Sequence, residues 1–205
     1  MRKLQTDPYD IKQVKATLEA LTRIVRSIAI KRVIDFNLDK DLYSWITISS
    51  NCYDLAIIEW CKIFSSKDGY ICFKKAMPND EKHNDEKKGF EARLCKYLEI
   101  DKGGYSSYVK ELKTYRDKLI AHTDLDFDTY IKQHPCLDIA LKSTFFYHKY
   151  FLSYYQKDHN SEMGISFFNH GTNDLEDYYN KYNIQVLKII KQAIELTKDI
   201  DDICL

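Results

Sequence analysis

The residues of this chain whose types and spacing suit chemistry are Arg116, Asp117 and His122, in the run Tyr115-Arg116-Asp117-Lys118-Leu119-Ile120-Ala121-His122. A histidine exchanges protons near neutral pH, so it can take one from a ribose 2′-hydroxyl or give one to a leaving oxygen. An arginine offers a planar fork to phosphate oxygens and stabilises charge building on phosphorus. Together they suit phosphodiester cleavage without a metal, with Asp117 orienting Arg116 or the imidazole. Tyr115, Lys113 and Lys118 flank the pair as candidate substrate contacts. The structural alternative is a packed histidine ending an apolar stripe and a surface arginine beside Lys113. On one regular helix, Arg116 and His122 would stand about 120° apart and about 9 Å along the axis. They converge only if the helix ends near Ala121, as Thr123-Asp124 suggests, or if a second copy of the chain supplies half of the site.

Other constellations are weaker. His148 falls on an apolar stripe and reads as core. His134 and His159 fall in loops, Asp54 and Glu59 do not share a helical face, and no His/carboxylate spacing suggests a metal site. No Gly-rich phosphate loop supports a bound nucleotide cofactor, so neither metal nor cofactor is expected. Lys+Arg and Asp+Glu are both 31, which removes the argument for a globally basic nucleic-acid binder and leaves room for a local basic cleft. The six cysteines show no C-x-x-C pairing and read as reduced thiols of a cytoplasmic protein. The basic N-terminus is followed by no apolar run, and no stretch is long enough to span a membrane. The 16 tyrosines read as core-margin packing, with a base-stacking surface as the alternative.

The elements that must position the motif are helices. Only 6 Gly and 3 Pro occur in 205 residues, against a turn-rich β fold. Ile11, Val14, Leu18, Leu21, Val25 and Ile28 make one buried stripe on a first helix that begins at Thr6 or Asp7 with Pro8 and is interrupted at Asn37. A second helix over about 41–64 has so wide an apolar face that it reads as central. Residues 65–85 form a surface excursion with a short helix near 72–77. A third long helix covers about 86–98, and Gly103-Gly104 break the chain. The motif-bearing helix begins near Tyr105, its stripe being Tyr105, Tyr108, Leu112, Tyr115 and Leu119, then His122. A further helix after Pro135 buries Leu137, Leu141, Thr144, His148, Phe151 and Tyr155. Residues 158–173 read as a loop. A last helix over about 175–200 buries Tyr179, Tyr182, Val186, Ile189, Ala193, Thr197 and Ile200. The expectation is an all-α single domain over 1–205, a bundle of about six helices, with at most a short hairpin around 70–73.

The run from Tyr115 to His122 resembles the R-x(4–6)-H signature of the HEPN superfamily (higher eukaryotes and prokaryotes nucleotide-binding domains). A polar residue follows the Arg, here Asp117, and five residues intervene. The wider run 115–124, with 54–64 upstream, is similar to HEPN proteins grouped with phage abortive-infection systems. The resemblance implies a helical bundle that dimerises to bring two motifs into one cleft. It implies a metal-independent endoribonuclease of a toxin–antitoxin or other defence system, with Arg116 and His122 catalytic and Asp117 supportive. RNA would be the substrate, a second copy of the chain the partner, and an antitoxin protein a further one. HEPN domains also serve as non-catalytic modules that bind protein, nucleotide or RNA, and that is the alternative function.

Overall fold

The structure, a computed structural model, describes residues 11–37, 43–66, 68–76, 81–120, 134–158 and 174–201. The expected helix start at Thr6 to Pro8, Leu42, His122 and the rest of 121–133, the 159–173 stretch and Cys204 lie outside the described residues, as do the side chains of Leu119, Tyr155, Thr197 and Ile200. Among the described residues the chain forms seven α-helices and one π-helical turn, with no strand. The helices are α1 (Ile11–Asn37), α2 (Tyr43–Phe64), α3 (Phe73–Ala76), α4 (Glu81–Leu98), α5 (Lys102–Tyr115), α6 (Asp138–Asp158) and α7 (Leu175–Asp201). The π-helical turn, Arg116–Ile120, continues directly from α5. The all-α bundle is as expected, and the place of the hairpin is taken by a turn leading into α3. No helix among the described residues is long and apolar enough to cross a membrane.

The centre of the bundle is α1. Val14, Leu18, Leu21, Val25 and Ile28 are buried as their spacing requires, and Thr17, Ala20, Ile24 and Ala29 widen the buried face. It contacts α2, α3, α6 and α7. Ile11 at the stripe's outer end is 40% exposed, because the helix there projects past its neighbours. The wide face expected of α2 holds only from Ser49 onward, where Ser49, Tyr53, Ala56, Ile57, Trp60, Ile63 and Phe64 are buried. Ile46 and Ile48 nearer its start are exposed. Trp60, fully buried, stacks on Phe64 at 4.9 Å between ring centroids and donates its indole N–H to Ser143 Oγ of α6 at 2.8 Å. Buried Glu59 faces the other way, paired with Arg23 of α1 at 3.3 Å and with Lys62 at 2.7 Å. Glu59 and Asp54 thus serve different faces of α2, as their spacing dictates.

Two boundaries differ from expectation, each for a backbone reason. The third long helix starts at Glu81 rather than near residue 86, so the polar run there is helical rather than part of a loop. Gly103-Gly104 do not break the chain. The break is at Glu99, whose φ of 57° is left-handed, with Glu99 N–H bonded to Lys96 O and Ile100 N–H to Cys95 O. This is the paired-bond ending that closes a helix C-terminus. Asp101 then caps α5 by accepting from Gly104 N–H, and a Cβ on Gly104 would stand 3.2 Å from that carboxylate oxygen. The glycines permit a close cap and lie in the helix's first turn. In α7, Ile190 is buried and Ile189 is 63% exposed, so the stripe runs Tyr178, Tyr182, Val186, Ile190 in steps of four. In α4, Phe90, Leu94 and Leu98 are buried and Tyr97 is 44% exposed.

Candidate functional site

Helix α5 packs on α2 through Tyr105, Tyr108, Leu112 and Tyr115, all buried. The two helices run antiparallel, because Trp60 meets Tyr108 (5.7 Å, edge-to-face) while Tyr53 meets Tyr115 (5.3 Å, edge-to-face). The stripe therefore delivers the start of the motif onto the outer half of α2.

Tyr115 is 5% exposed, so it presents no face for a base to stack on. Its hydroxyl donates to Asp54 Oδ1 of α2 at 3.1 Å. Asp54 is half-buried, and burial raises its proton affinity above the ordinary carboxylate range against the opposing effects of the Tyr115 hydrogen bond and the His134 charge. Among the described residues the second Asp54 oxygen has no hydrogen-bond donor.

Arg116 begins the π-helical turn, where hydrogen bonds run from i to i+5 and each turn holds more residues than in an α-helix. Its own N–H is shared between Leu112 O and Lys113 O. Its side chain, 28% exposed, is held by Asp117. Nε and Nη2 donate to Asp117 Oδ1 at 2.8 and 2.6 Å. This is a side-on grip. A guanidinium carries five N–H donors, and the end-on edge formed by Nη1 and the second Nη2 hydrogen meets no acceptor among the described residues. Arg116, Asp117 and Lys113 also act on the Cys61 thiol of α2. Burial pushes that thiol up, opposed by the Ser65 hydrogen bond and by the Arg116 charge, with Asp117 raising it and Lys113 lowering it. Lys113 is exposed and Lys118 partly buried.

Of the named residues, Lys113 is exposed, Arg116, Asp117 and Lys118 are partly exposed, and Tyr115 is buried as an anchor on α2. His122 lies outside the described residues. The α-helical run ends at Tyr115 and the π-helical turn begins at Arg116.

Asp54 and His134, to which sequence spacing assigned no role, share this locality. The approach to α6 is fastened to the motif's supports. Tyr53 Oη donates to Pro135 O, Tyr108 Oη donates to Cys136 O at 2.7 Å, and Ala140 N–H donates to Tyr108 Oη at 3.1 Å. His134 is thereby placed with its ring 5.4 Å from Tyr53 and 5.7 Å from Tyr115, and it remains exposed. Lys31 of α1 lies 5.3 Å from the Tyr53 ring centre. Pro135 and the aromatic residues of the supporting helices were the available signals; the partners lie far apart in sequence.

His148, on α6, is 1% exposed. Burial pushes its pKa down to about 4, the Asp174 charge opposing and Lys149 reinforcing the shift, which fits the packed role its stripe position implied. The chain matches no protein-family profile, no curated protein and no solved structure.

Proposed function

We propose that this protein is a metal-independent endoribonuclease of the HEPN type, acting in a toxin–antitoxin or abortive-infection setting in the cytoplasm. Arg116 binds and stabilises the scissile phosphate, Asp117 holds Arg116, and His122 moves the proton. A homodimer would bring two motifs into one cleft, and an antitoxin protein would restrain them. The observation that carries the reading is the side-on Arg116–Asp117 grip. It fixes the guanidinium and leaves the end-on edge, the one matched to two phosphate oxygens, for a ligand.

The test is cleavage of RNA by the purified protein in EDTA. Wild-type protein should leave 2′,3′-cyclic phosphate or 3′-phosphate ends and spare DNA, which lacks the 2′-hydroxyl. Arg116→Ala should lower the rate by about 10²–10³-fold. Arg116→Lys should do little better, because it keeps the charge and loses the fork. His122→Ala should cost about 10²–10⁴-fold. Cleavage that needs added Mg²⁺ would refute the assignment of roles. A protein that cuts no RNA would leave the non-catalytic module, in which Arg116 binds an anionic partner group.

A further inference from the structure

In-line cleavage of RNA needs two proton movements. One proton leaves the 2′-hydroxyl as its oxygen bonds to phosphorus, and one reaches the 5′ oxygen as the P–O5′ bond breaks. The motif provides one imidazole per chain, so the second group is either the imidazole of the partner copy, in which case His134→Gln cuts at the wild-type rate, or a further residue of this chain. Building on the ribonuclease reading, we propose that His134 is the second proton-transfer group, the acid that protonates the departing 5′ oxygen. Asp54 is its positioning residue, tied to the motif through Tyr115.

Tyr115 joins three things: its hydroxyl donates to Asp54, its ring lies against His134, and its own peptide leads to Arg116. Consecutive Cα atoms stand about 3.8 Å apart, so the residue whose ring lies against His134 is the chain neighbour of Arg116. The His134 main chain is fixed by two tyrosine hydroxyls on the next two carbonyls, while its ring stays exposed. That combines a rigid mount with access for substrate. Asp54 keeps an oxygen without a donor among the described residues, half-buried and free to accept from a neighbouring imidazole. A carboxylate beside an imidazole orients it and stabilises the imidazolium, and the charge of His134 already acts on Asp54. His134 lies against the rings of Tyr53 and Tyr115 and its charge acts on Asp54, while around Tyr53 stand Glu111 of α5, Cys136 and, over the ring, Lys31 of α1. Among these, Lys31 is the one cation, set against the carboxylates of Asp54 and Glu111. His148 is buried in the core and has no access to substrate.

The step balances. His134 imidazolium gives its proton to O5′ as that oxygen takes the electron pair of the P–O5′ bond, and the neutral imidazole is reprotonated from water.

The experiment compares two oligoribonucleotides, one ordinary and one with sulfur in place of the bridging 5′ oxygen at a single linkage. A thiolate leaves without needing a proton. His134→Gln should cut the ordinary RNA about 10²–10⁴-fold more slowly than wild type and the sulfur-linked RNA within about tenfold of it, with the alkaline limb of the pH–rate profile lost. Asp54→Asn, which keeps the shape and still accepts from Tyr115, should move that limb to lower pH without abolishing the rate. An unchanged helical spectrum guards against unfolding, and the exposed position of His134 makes the substitution mild. Equal rates for His134→Gln and wild type on ordinary RNA overturn the inference and leave the ribonuclease reading standing. So does an equal deficit on both substrates. A wild-type protein that cleaves neither substrate overturns both.

Discussion

Removing one oxygen from Tyr115 tests whether Asp54 is held as an anion by the motif helix. Tyr115→Phe keeps the ring and its contacts with Tyr53 at 5.3 Å and His134 at 5.7 Å, so only the donor to Asp54 is lost. A hydrogen bond to a charged group contributes about 1.5–3 kcal/mol net. Asp54 is half-buried, and water can replace part of what is lost, so the lower end applies and the expected cost at pH 7 is about 1.5 kcal/mol. For a domain of this size that is a fall in Tm of about 3–6 °C. The pH dependence has a definite sign. The proton affinity of Asp54 is raised in the folded state, so its contribution to stability is most favourable below the unfolded-state pKa and declines as pH rises through the folded-state value. Taking away the hydroxyl steepens that decline. The deficit of Tyr115→Phe should therefore be largest at pH 7 and shrink to under about 1 kcal/mol near pH 3, where the acceptor is a neutral acid. Urea unfolding at the two pH values measures it, with Asp54→Asn completing a double-mutant cycle. A deficit independent of pH, or a coupling indistinguishable from zero, would refute the claim that the Tyr115–Asp54 bond tethers a charged group.

The remaining expectations concern the core. Ser143→Ala leaves the fully buried indole N–H of Trp60 without its acceptor and should destabilise the fold by about 1–3 kcal/mol, read from the urea midpoint with Trp fluorescence as probe. His148, whose folded pKa lies at about 4 against an ordinary 6.5, is held neutral, so its contribution is complete above pH 6.5 and lost as pH falls through that window. Acidification from pH 7 to 4 should remove about 3 kcal/mol through this group, and a variant such as His148→Gln should flatten that slope; an unchanged slope would refute it.

How much of this could be read from the residues depends on whether a local rule governs them. The α6 stripe is one case: Leu137, Leu141, Thr144, His148 and Phe151 are all buried, because a helix packed along its length obeys its own periodicity. Where a helix runs past its neighbours the rule fails, as at Ile11 of α1 and Ile46 of α2, since burial there depends on where another element stops. Gly103-Gly104 misled for a different reason. Glycine marks close approach as well as chain breaks, and the cap from Asp101 uses the former. At the candidate site, Arg116 and Asp117 were legible because they adjoin. The Asp54–Tyr115 bond and the His134 ring contacts were not, because they join segments brought together only when α5 docks antiparallel on α2.

The conformation of the motif itself lies beyond any reading of three-four spacing. On a regular α-helix, adjacent side chains diverge by about 100° and do not face each other. Arg116 and Asp117 are adjacent, and yet the guanidinium bonds the carboxylate through two nitrogens. The pair forms where α5 passes into the π-helical turn, and a turn holding more residues rotates each one less relative to the next. Tyr115, which ends α5, stays buried against α2. Tyr115 anchors the turn from below, Asp117 grips the guanidinium from the side, and the outward edge of Arg116 is left for a ligand. The Tyr115 anchor and the Asp117 grip together fix the guanidinium at the end of a packed helix.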